Sequence, residues 1–315
     1  MLIPEDNIIA IVGPTATGKS QLAIHLAMTF DGEIVSADSR QIYHYLDIGT
    51  AKPGTEELAA VPHHLIGIIE PDDSFSLAQY QEMAYQAISD IKRRGKMAIL
   101  VGGSGLYVWS VLEGWSIPRV APDLNFRQSL EKEVAIVGAD EIHRRLMAVD
   151  SAAGERIDPR NTRRVIRALE ICKNNYKPDT QPQRNTDLKS LIIGLTAERQ
   201  ELYCRVDSRV DEMIEKGLVE EVKSLIKASY DTGLTAMSGI GYRQIIMYLR
   251  NELTLHQAIQ QIKYETHRLV RHQYSWFRLK DERIHWFDLQ SQYRPAITGL
   301  VSEFIECREL EGSCE

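Results

Sequence analysis

Ile8-Ile9-Ala10-Ile11-Val12-Gly13-Pro14-Thr15-Ala16-Thr17-Gly18-Lys19-Ser20 is the stretch on which the fold turns. Its first five residues are apolar, mostly β-branched and without polar alternation, which suits a strand covered on both faces. The next eight match G-x-x-x-x-G-K-[ST]. From Lys19 the pattern becomes helical, with Leu22, Leu26 and Phe30 four residues apart. Glycines let backbone N–H groups turn inward around an anion, and the helix N-terminus adds partial positive charge. Lys19 brings a full charge and Ser20 a hydroxyl suited to Mg²⁺. Gly13, Thr15, Ala16, Thr17, Gly18, Lys19 and Ser20 therefore form a candidate polyphosphate cradle. The motif does not say which polyphosphate, and a β–α turn without a ligand is the bland alternative.

Outward from the cradle, Glu33–Ala37 is a second strand-like run ending at Asp38, and Leu65–Ile69 a third. A helix is expected over Ser76–Arg94, opened by a Ser-x-x-Gln capping box. Met97–Val101 is the fourth run and stops at Gly102-Gly103. Strands alternating with helices predict a parallel sheet with right-handed crossovers. After Trp115 the apolar period is helical, through Phe126, Leu130, Val134, Ile142, Leu146, Val165, Leu169 and Cys172. The polar, proline-containing stretch 174–189 reads as a mobile connection, and Leu191–Leu195 as a strand returning to the sheet. The expected fold is α/β: a P-loop NTPase-like parallel core formed by 1–114 and 191–315, with a helical insertion at 115–190. The C-terminal part reads as largely helical. It ends in a segment, Leu253–Lys280, whose apolar arc (Leu255, Ile259, Ile262, Leu269, Val270, Trp276, Phe277) adjoins a basic one (Lys263, His267, Arg271, Arg278).

Composition bounds the function. The chain of 315 residues is 43% hydrophobic and 26% charged, which excludes disordered, collagen-like and disulfide-stapled classes. No apolar run approaches a membrane span of roughly 20 residues, and Met1–Asn7 lacks the order of a signal peptide. Four cysteines without a C-x-x-C pair read as reduced cytoplasmic thiols. His63-His64 and His267 with His272 lack structural-zinc spacing. The net charge of −7, taken globally, points away from nucleic acid. Its placement reverses that. Between Arg156 and Lys173 lie six basic residues and two acids, with Asp158-Pro159 resembling a helix start and Arg160, Arg163, Arg164 and Arg167 then sharing one face. Two Arg-rich helices accompanying a phosphate site point to a phosphate-backbone partner.

Asp38, at the carboxyl edge where parallel sheets place ligands, suits a helix cap, a Mg²⁺ ligand or a general base. Gly102-Gly103-Ser104-Gly105 stands where a phosphoryl-transfer enzyme would usually carry an acid, which argues against ordinary phosphoryl transfer.

Taken in order, these motifs resemble the bacterial tRNA dimethylallyltransferases. The resemblance rests on Gly13–Ser20, Asp38-Ser39-x-Gln41-x-Tyr43, Asp47–Pro53, Gly102–Tyr107 and Arg163–Glu170. It continues through Gly239–Gln244 and Arg271–Arg278, so it covers about residues 9–280. It implies transfer of a dimethylallyl group from dimethylallyl diphosphate to N6 of the adenosine 3′ of the tRNA anticodon, with Mg²⁺ as cofactor. The cradle would hold the diphosphate, with Lys19 stabilising the leaving group and Arg243 as a second cation. Asp38 would take or orient the N6 proton. Ser104 stands where the family usually has Thr, keeping the hydroxyl without the methyl. Asp38, Ser39, Arg40, Gln41 and Ser104 would face the adenine and its neighbours, and Arg127, Arg163, Arg164, Arg167 and Arg271 the rest of the tRNA. The family also implies a monomer. A P-loop kinase and a non-enzymatic RNA-binding module are the competing readings.

Overall fold

The computed structural model describes residues 7–120, 122–174, 188–290 and 292–306. The expected connection therefore lies largely outside the described residues, as do Cys307 and Cys314. In chain order the elements are β1 (Asn7–Val12), α1 (Lys19–Thr29), β2 (Gly32–Ser36), α2 (Thr55–Ala60), β3 (His63–His64), α3 (Leu77–Arg93), β4 (Met97–Val101) and α4 (Gly105–Leu112). Then follow α5 (Leu124–Val137), α6 (Ala139–Val149), α7 (Ser151–Arg156), α8 (Thr162–Lys173), β5 (Lys189–Thr196), α9 (Arg199–Glu215) and α10 (Leu218–Lys227). Last come α11 (Tyr242–Leu249), α12 (Leu255–Trp276), β6 (Ile284–Asp288) and α13 (Tyr293–Glu306). Residues 1–113 with 186–315 form one compact unit and 114–185 another.

In the larger unit the described strands make one parallel sheet in the order β3-β2-β4-β1-β5-β6. Ile9, Ile11, Ile34, Ile99 and Ile193 pack on one face with Leu22 and Leu26 of α1 and Ile297 and Val301 of α13. The alternate residues Ile8, Ala10 and Val12 are equally buried, so both faces are covered and the unbroken apolar run of β1 is explained. A second core joins Ile42, Tyr43 and Leu46 to Val206 and Val210 of α9, Val222 of α10, Ile245 of α11, and Ile262 and Val270 of α12. The capping box expected at Ser76 is present, its hydroxyl accepting from Gln79 N at 3.2 Å.

Two expectations are corrected here. Leu65–Ile69 is not a strand: pairing stops at His64, and Leu65 (φ 62°) and Gly67 (φ 56°) occupy the left-handed region, which an extended ladder cannot contain. Only a single bridge, Tyr43 to Ile69, survives there. β6, which closes the sheet beyond β5, falls in the C-terminal part expected to be largely helical. No described helix is long and apolar enough to cross a membrane.

The smaller unit is helical, built on Leu130, Ile142, Leu146, Val165 and Ile166. Its arginine helix starts later than expected. The Asp158 carboxylate accepts from Arg160 N at 2.9 Å and so closes a local turn, while Asn161 caps α8 by accepting from Arg164 N at 3.3 Å. Arg160 therefore lies off the helix, ion-paired with Asp158 at 2.9 Å.

Candidate active site

Three loops leave the carboxyl ends of β1, β2 and β4, and backbone bonds splice them together. Ala37 N donates to Val101 O (2.7 Å), Gly102 N to Ile11 O (3.2 Å) and Ser104 N to Ala37 O (3.4 Å). The loop after β1 is the phosphate motif. At Gly13 (φ 132°) a Cβ would stand 2.4 Å from Leu195 O, so only glycine fits. Ala16 is held at φ 66°, a conformation that costs energy in a non-glycine residue and concentrates at functional sites. The buried Thr17 hydroxyl donates to Pro14 O at 2.9 Å, and Lys19 Nζ to the same oxygen at 2.6 Å.

Thr15, Ala16, Gly18, Lys19 and Ser20 line a cavity of about 590 Å³ that also meets Asp38, Gln41 and Arg209. Gly13 and Thr17 lie behind this wall and shape the turn. Arg209, from α9, donates to Thr15 Oγ1 at 3.4 Å. Burial, and then repulsion from Arg209, lowers the Lys19 pKa to about 7 despite the opposing pull of Asp38. Burial depresses Arg209 as well, with Glu212 opposing. Two cations thus share a desolvated wall without a carboxylate strong enough to restore them, the electrostatic condition of a site that takes its negative charge from a ligand.

A second cavity, of about 510 Å³, adjoins the first through Thr15, Asp38, Gly103, Arg209 and Gln273. Its further lining is mixed: Ser39, Arg40, Ser104 and Tyr107 on one side, Val206, Met213, Ile262, Leu269 and Trp276 on the other. Asp38 belongs to both. Its Oδ1 accepts from Arg40 N (2.8 Å) and Gln41 N (3.4 Å), closing a turn rather than capping a helix, since the next helix starts only at Thr55, while Oδ2 has no partner among the described residues. Closing the turn with one oxygen leaves the other for proton transfer. Ser104 Oγ accepts from Ser39 N at 3.1 Å and lies 3.3 Å from Ser39 Oγ, so this hydroxyl ties the β4 loop to the residue beside Asp38. Arg40 donates to Thr235 O at 2.5 Å, and Gln41 Nε2 to Thr50 O and Ala51 O at 3.2 and 3.1 Å. The Asp47–Pro53 loop is held from below by Glu221, whose carboxylate accepts from Asp47 N (3.0 Å), Ile48 N (2.7 Å) and Gly49 N (3.2 Å).

Not every expected residue reaches these cavities. Arg243 is exposed, lines neither, and stands 3.9 Å from Glu265. Arg271 donates to Tyr203 at 2.7 Å outside both. In the helical unit, Arg127 binds the buried Glu170 through Nε (3.0 Å) and Nη2 (2.8 Å), and Arg167 binds the same carboxylate and Val120 O (2.8 Å). Burial pushes the Glu170 carboxyl up, but the Arg127 and Arg167 hydrogen bonds outweigh it and hold it below its usual range. Arg163 and Arg164 are exposed, with no side-chain partner among the described residues.

Arg209 and Glu221 have no counterpart in the sequence reading, while Gln273 and Glu170 lie within the Arg271–Arg278 and Arg163–Glu170 motifs without a role assigned there. Arg209 left one trace: it sits three residues after Val206 and seven after Leu202, a charge on an otherwise buried helical face. No group of three or more His, Cys, Asp or Glu able to hold a metal occurs among the described residues. Ser20, exposed at the cradle mouth beside Lys19, suits a Mg²⁺ that takes its remaining ligands from phosphate and water.

Residues 41–280 match the IPP transferase family. The chain is 49% identical over 274 residues to the tRNA dimethylallyltransferase of Roseiflexus sp. (strain RS-1), covering 86% of this chain and 90% of that protein. It is 45% identical over 304 residues to that of Dehalococcoides mccartyi, covering 96% and 94%. Its fold resembles the full-length tRNA isopentenylpyrophosphate transferase of Bacillus halodurans, with TM-score 0.72, 38% identity and coverage of 98% and 99%. It also resembles a eukaryotic dimethylallyltransferase acting on tRNA, with TM-score 0.82, 27% identity and coverage of 95% and 79%.

Proposed function

The chain belongs to the IPP transferase family, and from that premise we propose that it transfers a dimethylallyl group from dimethylallyl diphosphate to N6 of the adenosine 3′ of the tRNA anticodon, releasing diphosphate. The observation that carries this reading is the pair of adjoining cavities, one walled by the depressed cations Lys19 and Arg209 and the other apolar on one side and polar on the other, with Asp38 common to both. Diphosphate suits the first and a prenyl chain beside a flat base the second.

The target adenine leaves the anticodon stack, because its exocyclic amine is hard to reach while stacked. Its nitrogen attacks the allylic C1, the C1–O bond breaks, and the electron pair departs with the diphosphate. Lys19, the cradle N–H groups and Arg209 receive that charge; Arg209 takes here the part that sequence assigned to Arg243. Asp38 Oδ2 accepts the N6 proton. Ser104, through Ser39, fixes the loop that carries Asp38. Ser20 would hold Mg²⁺ with the diphosphate oxygens, and the ion would supply further neutralisation of the leaving group. Arg163 and Arg164 contact RNA phosphates, while Arg127 and Arg167 keep the helical unit in shape around Glu170. Residues 115–190 serve as the tRNA-binding insertion, and the protein works as a cytoplasmic monomer.

Incubation with unmodified tRNA, dimethylallyl diphosphate and Mg²⁺, followed by digestion to nucleosides and mass spectrometry, tests this. The expected product is adenosine heavier by one dimethylallyl group. No mass gain on adenosine, with phosphoryl transfer from ATP in a parallel incubation, would overturn the proposal in favour of the kinase reading.

A further inference from the structure

Gln273, on α12, belongs to none of the three loops that meet in the site, yet it lines both cavities. Only 6% of it is exposed. Its Oε1 accepts from Thr15 N at 2.9 Å, and its Nε2 donates to Gly103 O at 3.1 Å. Thr15 belongs to the phosphate cradle. Gly103 precedes Ser104, whose hydroxyl reaches Ser39 next to Asp38. A single amide thus spans from the leaving-group cradle to the loop that steadies the base.

We infer that Gln273 is a positioning residue, a buried strut that fixes the separation between the donor cradle and the Asp38–Ser104 loops. The inference rests on the prenyl-transfer reading above. A carboxamide of this length offers one acceptor and one donor in opposite directions, which Thr15 N–H and the Gly103 carbonyl require. Glutamate would turn a carboxylate oxygen against the Gly103 carbonyl, and methionine would leave both backbone groups unpaired at the cavity wall. Gly103 is shaped to the same contact: a Cβ there would stand 2.3 Å from Gln273 Nε2. Transfer chemistry depends on reactant separation so steeply that a misplacement of about 1 Å costs on the order of 10²-fold. The strut therefore acts on turnover more than on affinity.

The test is steady-state kinetics of Gln273→Met, Gln273→Ala, Gly103→Ala and the Gln273→Ala/Gly103→Ala pair, with melting temperatures, alongside the unaltered protein. We expect Gln273→Met to lose about 10- to 100-fold in kcat, with KM for donor and tRNA within about threefold and the variant, though lower in melting temperature, fully folded at the assay temperature. Gly103→Ala should behave similarly by displacing the amide, and the double variant should be no worse than Gln273→Ala alone, since both remove one interaction. A kcat within twofold of the unaltered protein overturns the strut. So does a loss confined to KM, a loss that follows the unfolded fraction, or additive single effects. Absence of transfer by the unaltered protein would instead overturn the prenyl-transfer reading. Amide hydrogen exchange at Thr15 then still decides the strut: it should accelerate in Gln273→Met, and equal exchange would sink the idea.

Discussion

The phosphate cradle and the helical unit handle positive charge in opposite ways. At the phosphate cradle, Lys19 and Arg209 lie on a desolvated wall and are both depressed. On α8 and α5, Arg167 and Arg127 are met by Glu170, a fully buried carboxylate held in its charged form. An uncompensated cation is poised for an anionic ligand. A compensated one fixes a shape. Cations on one chain can therefore look equivalent in sequence and differ in what they are for.

The sharpest way to break this contrast is at the acid shared by the two cavities. Asp38→Asn keeps the turn through its remaining carbonyl oxygen but removes the base, so turnover should fall about 10²-fold or more with tRNA affinity little changed; near-normal turnover would reduce Asp38 to a turn-former. Next in size is Glu170→Ala, which strips both arginines of their buried partner. It should destabilise the helical unit by about 2–3 kcal/mol, below the usual 3–5 because both arginines retain access to water. Denaturant melts of that variant check it. Arg209→Gln should raise the KM for dimethylallyl diphosphate about 10-fold or more, whereas Arg243→Gln should leave it within about twofold. The reverse ranking would return the second-cation role to Arg243. Smallest is Arg163→Ser/Arg164→Ser, expected to lower the salt-dependence slope of tRNA binding by about 1–2 while leaving stability unchanged.

The pH dependence follows from the same wall. Above pH 7 the free protein progressively loses the Lys19 proton, so donor KM should rise with pH there. For stability the sign runs the other way. The folded state holds this lysine's proton less tightly than the unfolded chain, so its penalty is fully present below about pH 7 and relieved as the pH climbs toward the ordinary lysine value of 10.5.

Much of the fold was legible because local chemistry and global role agreed. The β-branched run of β1, the glycines of the cradle and the Ser76 capping box each specify their own backbone, and the structure contains all three. Leu65–Ile69 misled because apolar composition says nothing about the left-handed φ that ends a ladder. Asp158-Pro159 misled because an aspartate can close its own turn as readily as cap a helix. The site was legible only where it was contiguous in sequence. Thr15 meets Gln273 across 258 residues and Arg209 across 194, and Glu170 meets Arg127 across 43. The first two pairings follow from the sheet order and the packing of α9 and α12, the third from the packing of α5 on α8, and no spacing rule contains them.

The charge state of Lys19 separates the two roles of cations most directly. Titration of the lysine ¹³Cε resonances by NMR, with Lys19 assigned by its loss in Lys19→Arg, reads it without recourse to activity. The protein alone should show a midpoint near 7, and saturating inorganic diphosphate should move it into the ordinary lysine range. A midpoint near 10.5 in the absence of diphosphate would contradict the uncompensated cation wall and the division of labour drawn from it.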